Sequence, residues 1–220
     1  MELLIANKNY SSWSLRPWLL MKVLGLPFTE RKVSFADPEW RAKLKQQSPA
    51  GRVPVLFDGP TMIWDSLAII EYLADRFPAV GVWPKDQAAR AYARSMCAEM
   101  HAGFSALRNN MPMNIEAKLP GKGWNCAVQT DVERIVTMWT DAREKFGAGG
   151  QMLFGDFCAV DAFYAPVVWR FTTYEVSVPQ EAATYMQAIR GLPQMDEWVQ
   201  EALSEQEYVA EDEPYRFRRN

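Results

Sequence analysis

Asn9-Tyr10-Ser11-Ser12-Trp13-Ser14-Leu15-Arg16-Pro17 joins an apolar run, residues 2–6, to a second one, residues 15–24. The first run has the length and composition of a buried strand ending at a polar turn. The second carries Leu15, Trp18, Leu19 and Val23 at helical spacing and stops at Gly25. Serine is a favoured helix cap. Pro17 lacks a backbone N–H and belongs in a first turn. With Ser14 as the cap, Pro17 falls at the third helical position, where an N–H has no intrahelical partner anyway. Ser11 and Ser12 then lie just outside the helix, at the positive end of its dipole. That is a place to hold an anion or a thiolate. Plain capping is the other use these hydroxyls could have.

Outward from this turn the strand and helix signals alternate. Residues 28–34 read as a second strand and 38–45 as a short polar helix. Residues 53–58 and 61–64 bracket Gly59-Pro60 as a hairpin. Residues 66–77 read as a helix that stops before Pro78. The order βαβαββα makes residues 1–78 a compact α/β domain. Residues 79–86 read as a linker, and 87–220 as an all-α C-terminal domain. Its expected helices are 87–110, 131–146, 159–174, 185–190 and 195–203, with residues 111–125 as the main loop.

Bulk properties exclude several function classes. At 49% hydrophobic residues the chain of 220 can bury a core without disulfides. A net charge of −3 argues against nucleic acid as a principal partner. The basic Arg216-Phe217-Arg218-Arg219 is read as a solvated terminus. No stretch reaches the ~18 apolar residues of a membrane span, and residues 1–6 lack the basic start of a secretion signal. Cys97, Cys126 and Cys158 have no metal-type spacing, and an odd number of thiols fits a reducing, cytoplasmic setting. With His101 as the single histidine, a histidine-based metal site or a Ser-His triad is not expected.

Two further features bear on chemistry. Gly51-Arg52-Val53-Pro54-Val55 opens a strand with an X-Pro bond. Were that bond cis, the Val53 backbone groups would be free to pair with a peptide-like ligand. Asp65-Ser66 starts a helix directly after a strand. Capping explains it, with Leu67, Ile70 and Leu73 as core. The same pair also suits a ligand end bearing an ammonium and a carboxylate. Asp65 would take the first; Ser66 and the helix start would take the second.

Taken in order, these features resemble the cytosolic glutathione transferases. Ser11-Ser12-Trp13-Ser14-Leu15-Arg16 is similar to their serine-type turn and near the zeta-class pattern Ser-Ser-Cys-Ser-x-Arg. Arg52-Val53-Pro54 resembles the segment holding the family's cis-proline, and Asp65-Ser66-Leu67-Ala68-Ile69 its Glu/Gln-Ser-x-Ala-Ile motif. The resemblance covers nearly the whole chain. It implies an α/β thioredoxin-like N-terminal domain followed by an all-α domain, in a homodimeric detoxification enzyme. That enzyme conjugates glutathione, its co-substrate, to small hydrophobic electrophiles without a metal. It further implies that Ser11 donates to the glutathione sulfur, with Ser12 in reserve. Arg52 would lie on the glycyl side, Val53 and Pro54 at the cysteinyl unit, and Asp65 and Ser66 at the γ-glutamyl end. A glutathione-dependent isomerase of the maleylacetoacetate type, or a non-catalytic glutathione-binding protein, are the alternatives.

The chain departs from the family pattern in three places. Trp13 stands where the turn carries Cys, so disulfide exchange through this loop is not expected. Cys158-Ala159-Val160-Asp161 stands where a Ser/Thr-x-x-Asp capping box is usual; a modest loss of stability is expected, with Cys158 a buried structural thiol. Arg170 lies four residues beyond Pro166, out of register with the arginine that isomerases direct at substrate carboxylates. The acceptor pocket is expected between the serine turn and the first long helix, with Trp13, Met100, His101, Phe104, Arg108 and Met111 as candidates.

Overall fold

Alternation along the first strand, β1 (Glu2–Ala6), sets the layers of the N-terminal half. In the computed structural model, which describes residues 1–216, Leu3 and Ile5 join the large core. Leu4 instead packs with Val33, Leu44 and Val55 under the opposite face. β2 (Thr29–Val33) runs parallel to β1, and β3 (Val55–Asp58) and β4 (Thr61–Trp64) continue the sheet antiparallel, in the order β2-β1-β3-β4. Helices α1 (Ser12–Val23) and α3 (Ser66–Arg76) contribute Leu15, Leu19, Ile69 and Leu73 to the large core. The short α2 (Trp40–Gln47) covers the other face through Leu44. This is the thioredoxin-like arrangement, and from residue 87 onward the regular structure is helical.

The helical part comprises α4 (Gln87–Ala102), α5 (Ser105–Asn110), α6 (Cys126–Phe146), α7 (Ala159–Thr173), α8 (Gln180–Arg190) and α9 (Pro193–Ser204). The central α7 is almost wholly buried and packs along α1, so one apolar core runs through both halves. Its start is held by Asp161, whose carboxylate accepts from the N–H of Cys158 at 2.9 Å and of Leu153 at 3.2 Å. Cys158 completes a capping box, its sulfur facing the Asp161 N–H. Burial pushes the Asp161 carboxyl up to about 6, against the pull of both N–H bonds.

Several boundaries differ from those expected, among them α8, which begins at Gln180 and not at residue 185. The helix expected over 87–110 breaks after Ala102. Gly103 has its Cα so near the Glu99 carbonyl that a Cβ would sit 2.8 Å from the oxygen, and Phe104 adopts a left-handed φ of 57°. Arg108 then folds back, its Nη1 donating to the Met100, His101 and Gly103 carbonyls at 3.1–3.3 Å, which ends α4. Helix α6 begins five residues earlier than expected because Asn125 caps it, accepting from the Val128 N–H at 3.0 Å. Helix α1 starts at Ser12, so Pro17 is its sixth residue and Ser14 is not its cap. The Ser14 hydroxyl is spent elsewhere, accepting from the Ala6 N–H at 3.2 Å.

A C-terminal segment returns over the first strand–helix junction. Glu205 accepts from the Lys8 N–H at 2.8 Å, Glu207 from the Asn7 side chain at 2.5 Å, and Glu213 from the Tyr10 hydroxyl at 2.7 Å. Residues 217–219 of the basic tail lie outside the described residues.

Cys97 and Cys158 are buried and burial pushes both thiols well up, whereas Cys126 is exposed. Cys158 is therefore the inert core thiol expected of it. Titration of the folded protein with an aromatic disulfide reagent is expected to find one fast thiol of the three in the sequence. A second fast thiol would show that α4 or α7 opens.

Candidate active site

The serine turn is fixed by backbone before its side chains act. Asn7 C=O accepts from the N–H of Tyr10 at 3.2 Å and of Ser11 at 2.8 Å, and Ser12 N–H donates to Tyr10 C=O at 2.9 Å. Ile115 N–H donates to Asn9 C=O at 3.2 Å, which ties the loop after α5 to this turn. Ser11 is the N-cap residue of α1, yet its side chain caps nothing. Its Oγ lies 2.7 Å from Ser14 Oγ. Either hydroxyl can be the donor in this pair; Ser14 Oγ, which accepts from Ala6 N–H, has its own proton to give to Ser11 when Ser11 donates to a ligand. In that arrangement Ser11 donates outward along a chain in which each bond polarises the next. Ser12 Oγ accepts from Arg170 Nη2 at 3.2 Å, which leaves its proton free as well.

Two adjoining cavities meet here. One, of about 500 Å³, is lined by Trp13, Arg52, Val53, Pro54, Asp65, Ser66 and His101. The other, of about 440 Å³, is lined by Ser11, Ser12, Trp13, Arg52, Val53, Arg108, Arg170 and Asp212, among others. Trp13, Arg52 and Val53 belong to both and form the divide. The Val53-Pro54 bond is cis. Val53 precedes the first ladder pair of β3, which is Leu4 with Val55. Ser48 steadies the approach, donating to the Arg52 carbonyl at 2.7 Å and accepting from the Arg52 N–H at 3.1 Å.

In the first cavity Asp65 has a left-handed φ of 77°, unusual for a residue with a side chain. One carboxylate oxygen caps α3, accepting from Leu67 N–H at 2.8 Å, and the other lies 3.2 Å from His101 Nε2. Ser66 is almost fully buried, and among the described residues its hydroxyl has no hydrogen-bond partner. A carboxylate, an unpaired hydroxyl and a helix start thus converge on one wall. His101 was expected beside the acceptor; it lies instead on this wall, with its ring edge-on to Trp13 at 5.2 Å. Burial pushes its imidazole down, Asp65 pulling the other way and Arg16 and Arg108 adding to the fall. Burial thus favours the neutral imidazole beside Asp65.

The second cavity is cationic through Arg52, Arg108 and Arg170, which line it; Arg16 lies outside the lining, against Trp13. Arg16 is fully buried, with its guanidinium 4.2 Å from the Trp13 ring centre and 4.6 Å from that of Phe163. Its Nε and Nη1 have no partner among the described residues. Burial, then Arg108 and Arg170, bring it down to about 9. Arg108 lies 4.4 Å from the Trp13 ring. Arg170 is held by the Met111 carbonyl, and burial followed by Arg108 brings it down to about 10. All three stay charged at neutral pH, so the serine turn sits in a positive field that favours an anion at its hydroxyls.

Of the acceptor candidates, Trp13 and Arg108 line the second cavity. Phe104, Met100 and Met111 do not: each is buried in the large core, Phe104 because the break after α4 turns it inward. Arg170, left out of register by sequence, is brought to Ser12. An arginine within the apolar run of α7 was the available signal, since a charge there needs a partner.

Residues 10–76 match the family model described as "Glutathione S-transferase, N-terminal domain". Over these residues the chain carries a glutathione S-transferase N-terminal domain. Among curated relatives, a probable maleylacetoacetate isomerase from Caenorhabditis elegans is 29% identical over 162 residues, covering 72% of this chain and 75% of the relative. A stringent starvation protein A homolog from Coxiella burnetii is 27% identical over 164 residues, covering 74% of each chain. Among solved structures, a glutathione transferase homolog from Burkholderia with bound glutathione superposes with a TM-score of 0.71 at 23% identity, over 92% of this chain and 98% of that one. At that identity the superposition speaks for the fold alone.

Proposed function

We propose that the chain is a glutathione transferase that binds the tripeptide across the first cavity and delivers its thiolate to a small electrophile in the second. The observation that carries this is the pairing of the unsatisfied buried Ser66 hydroxyl and Asp65 at one end with the Ser11–Ser14 hydroxyl pair at the other. In this reading Asp65 takes the γ-glutamyl ammonium, and Ser66 with the start of α3 takes the adjoining carboxylate. The Val53 backbone pairs with the cysteinyl unit and Arg52 lies on the glycyl side. Ser11 donates to the sulfur, Ser12 stands beside it, and the thiol proton leaves to water. The thiolate then attacks the electrophilic carbon and displaces its leaving group. Residues 1–78 supply the glutathione half, residues 87–220 the acceptor half, and 79–86 the link. A cytoplasmic homodimer is the assembly that fits this reading.

Asp65→Asn tests it, because asparagine tolerates a positive φ and still caps α3 while losing the charge. A hydrogen bond to a charged group contributes about 1.5–3 kcal/mol, and Asp65 is exposed in the free protein, so glutathione affinity is expected to fall about tenfold with little change in melting temperature. Unchanged affinity would remove Asp65 from the site. Tight binding without turnover over a broad panel of electrophiles would favour a binding protein instead.

Arg170 favours a second reading. Two guanidiniums beside Ser12 suit an acceptor carrying carboxylates, as in a double-bond isomerase acting on a cis-dicarboxylic diketo compound. Glutathione-dependent turnover of such a compound, lost in Arg170→Met, would establish it; absence of turnover would leave conjugation.

A further inference from the structure

The C-terminal segment carries three consecutive acids, Glu211, Asp212 and Glu213, and they face different ways. Glu211 is held outside by Arg41, with both carboxylate oxygens 2.9–3.0 Å from Nη2. Glu213 accepts from the Tyr10 hydroxyl at 2.7 Å and lies 3.4 Å from Arg216. Asp212, the last residue of the 3-10 turn Ala210–Asp212, lines the second cavity together with Ser11, Ser12, Arg108 and Arg170. It is half-buried, and among the described residues its carboxylate has no ion pair or side-chain hydrogen bond at contact distance.

We propose that Asp212 determines acceptor specificity: its carboxylate is the built-in counter-charge to Arg108 and Arg170, and it opposes any acceptor that brings a carboxylate of its own. The inference rests on the reading of this cavity as the acceptor site. A ligand carboxylate drawn to the arginines enters the field of Asp212. In a partly desolvated cleft a like charge a few ångströms off costs an order of magnitude or more in affinity. A neutral electrophile meets no such opposition. The position of Asp212 is set by the residues on either side of it, through Arg41 and Tyr10, so it stays turned inward.

The groups that face it are Arg170 on α7, Arg108 on α5, Tyr10 in the serine turn, and Glu211 and Glu213 in its own segment. Burial, then Glu211, push the Asp212 carboxyl up to about 6, with Arg170 pulling down and Glu213 adding to the rise. Opposition to an anion is therefore present at neutral pH and lifts as the solution is acidified through that range.

The test is inhibition of glutathione conjugation by fumarate, a dianion over the whole pH range used, in wild type, Asp212→Asn and Asp212→Glu at saturating glutathione. For Asp212→Asn the fumarate inhibition constant at neutral pH is expected to fall about tenfold. In wild type it should fall on acidification through about pH 6, while in Asp212→Asn that step is absent and in Asp212→Glu the wild-type behaviour returns. Equal inhibition constants in wild type and Asp212→Asn, with fumarate competing against the electrophile in both, would overturn the proposal and leave the acceptor site standing. Failure of fumarate to compete in either protein would overturn both.

Discussion

Ser11→Ala is expected to lower kcat/KM for conjugation about 30-fold below neutral pH while glutathione affinity stays within about threefold. One hydroxyl bond to a thiolate contributes about 2 kcal/mol, and each 1.36 kcal/mol is a factor of ten in rate. The loss is specific to the ionised sulfur, so it appears in the rate at a pH where the thiolate is scarce and fades as alkali ionises the thiol anyway. Ser12→Ala is expected to lose less. Its hydroxyl shares Arg170, and the guanidinium remains in the cavity when the hydroxyl is gone. Steady-state kinetics of both variants across pH decides between them. A larger loss in Ser12→Ala would transfer the role to Ser12 and make the Ser11–Ser14 pair a structural bond only.

Asp161→Ala is expected to cost about 3 kcal/mol of stability and lower the melting temperature by about 10 °C. Two buried N–H groups, those of Cys158 and Leu153, lose their acceptor, and each unsatisfied buried donor costs about 1–3 kcal/mol. Helix α7 carries Arg170 and packs along α1, so loosening its start also loosens the wall behind the serine turn. The pH dependence has a definite sign. Burial raises the folded-state value of this carboxyl from 3.8 to about 6, so its contribution is complete below the lower value and is lost as pH rises through the upper one. The advantage of wild type over Asp161→Asn in denaturant unfolding is therefore expected to grow by roughly 1 kcal/mol between pH 7 and pH 5. A gap that narrows on acidification would mean that the two N–H bonds outweigh burial.

Local rules read the N-terminal half well because its signals are local. Alternation in β1, the Gly59-Pro60 turn and the stop before Pro78 each act within a few residues. The same rules misplaced the start of α1 for a physical reason. A serine looks like a cap from the sequence, but Ser14 is committed to Ala6 across the turn, a contact set by the return of the chain and not by helix chemistry. The break at Gly103 was legible in principle, since glycine followed by Phe104-Ser105 is a stop and a restart. The apolar spacing that continued through it hid the signal. Asp65, Ser66, Arg52, Val53 and Pro54 fall together around one cavity as the motifs imply. The cationic wall did not announce itself, because Arg108 and Arg170, with Arg16 buried within their field, come from three helices and approach only after those helices pack. Asp212 is the extreme case: nothing in its own neighbourhood points to a serine turn 200 residues away.

The most direct measurement of the central claim is a titration of the thiol of glutathione bound to the wild-type protein, followed by the ultraviolet absorbance of the thiolate. A free thiol ionises near ~8.5. The Ser11 hydroxyl, the start of α1 and the guanidiniums of Arg108 and Arg170 that line the cavity together are expected to bring the bound thiol down by about two units, to near 6.5, a preference of roughly 2.7 kcal/mol for the thiolate. A bound thiol that still ionises near ~8.5 would contradict the assignment of the serine turn as the seat of thiolate activation.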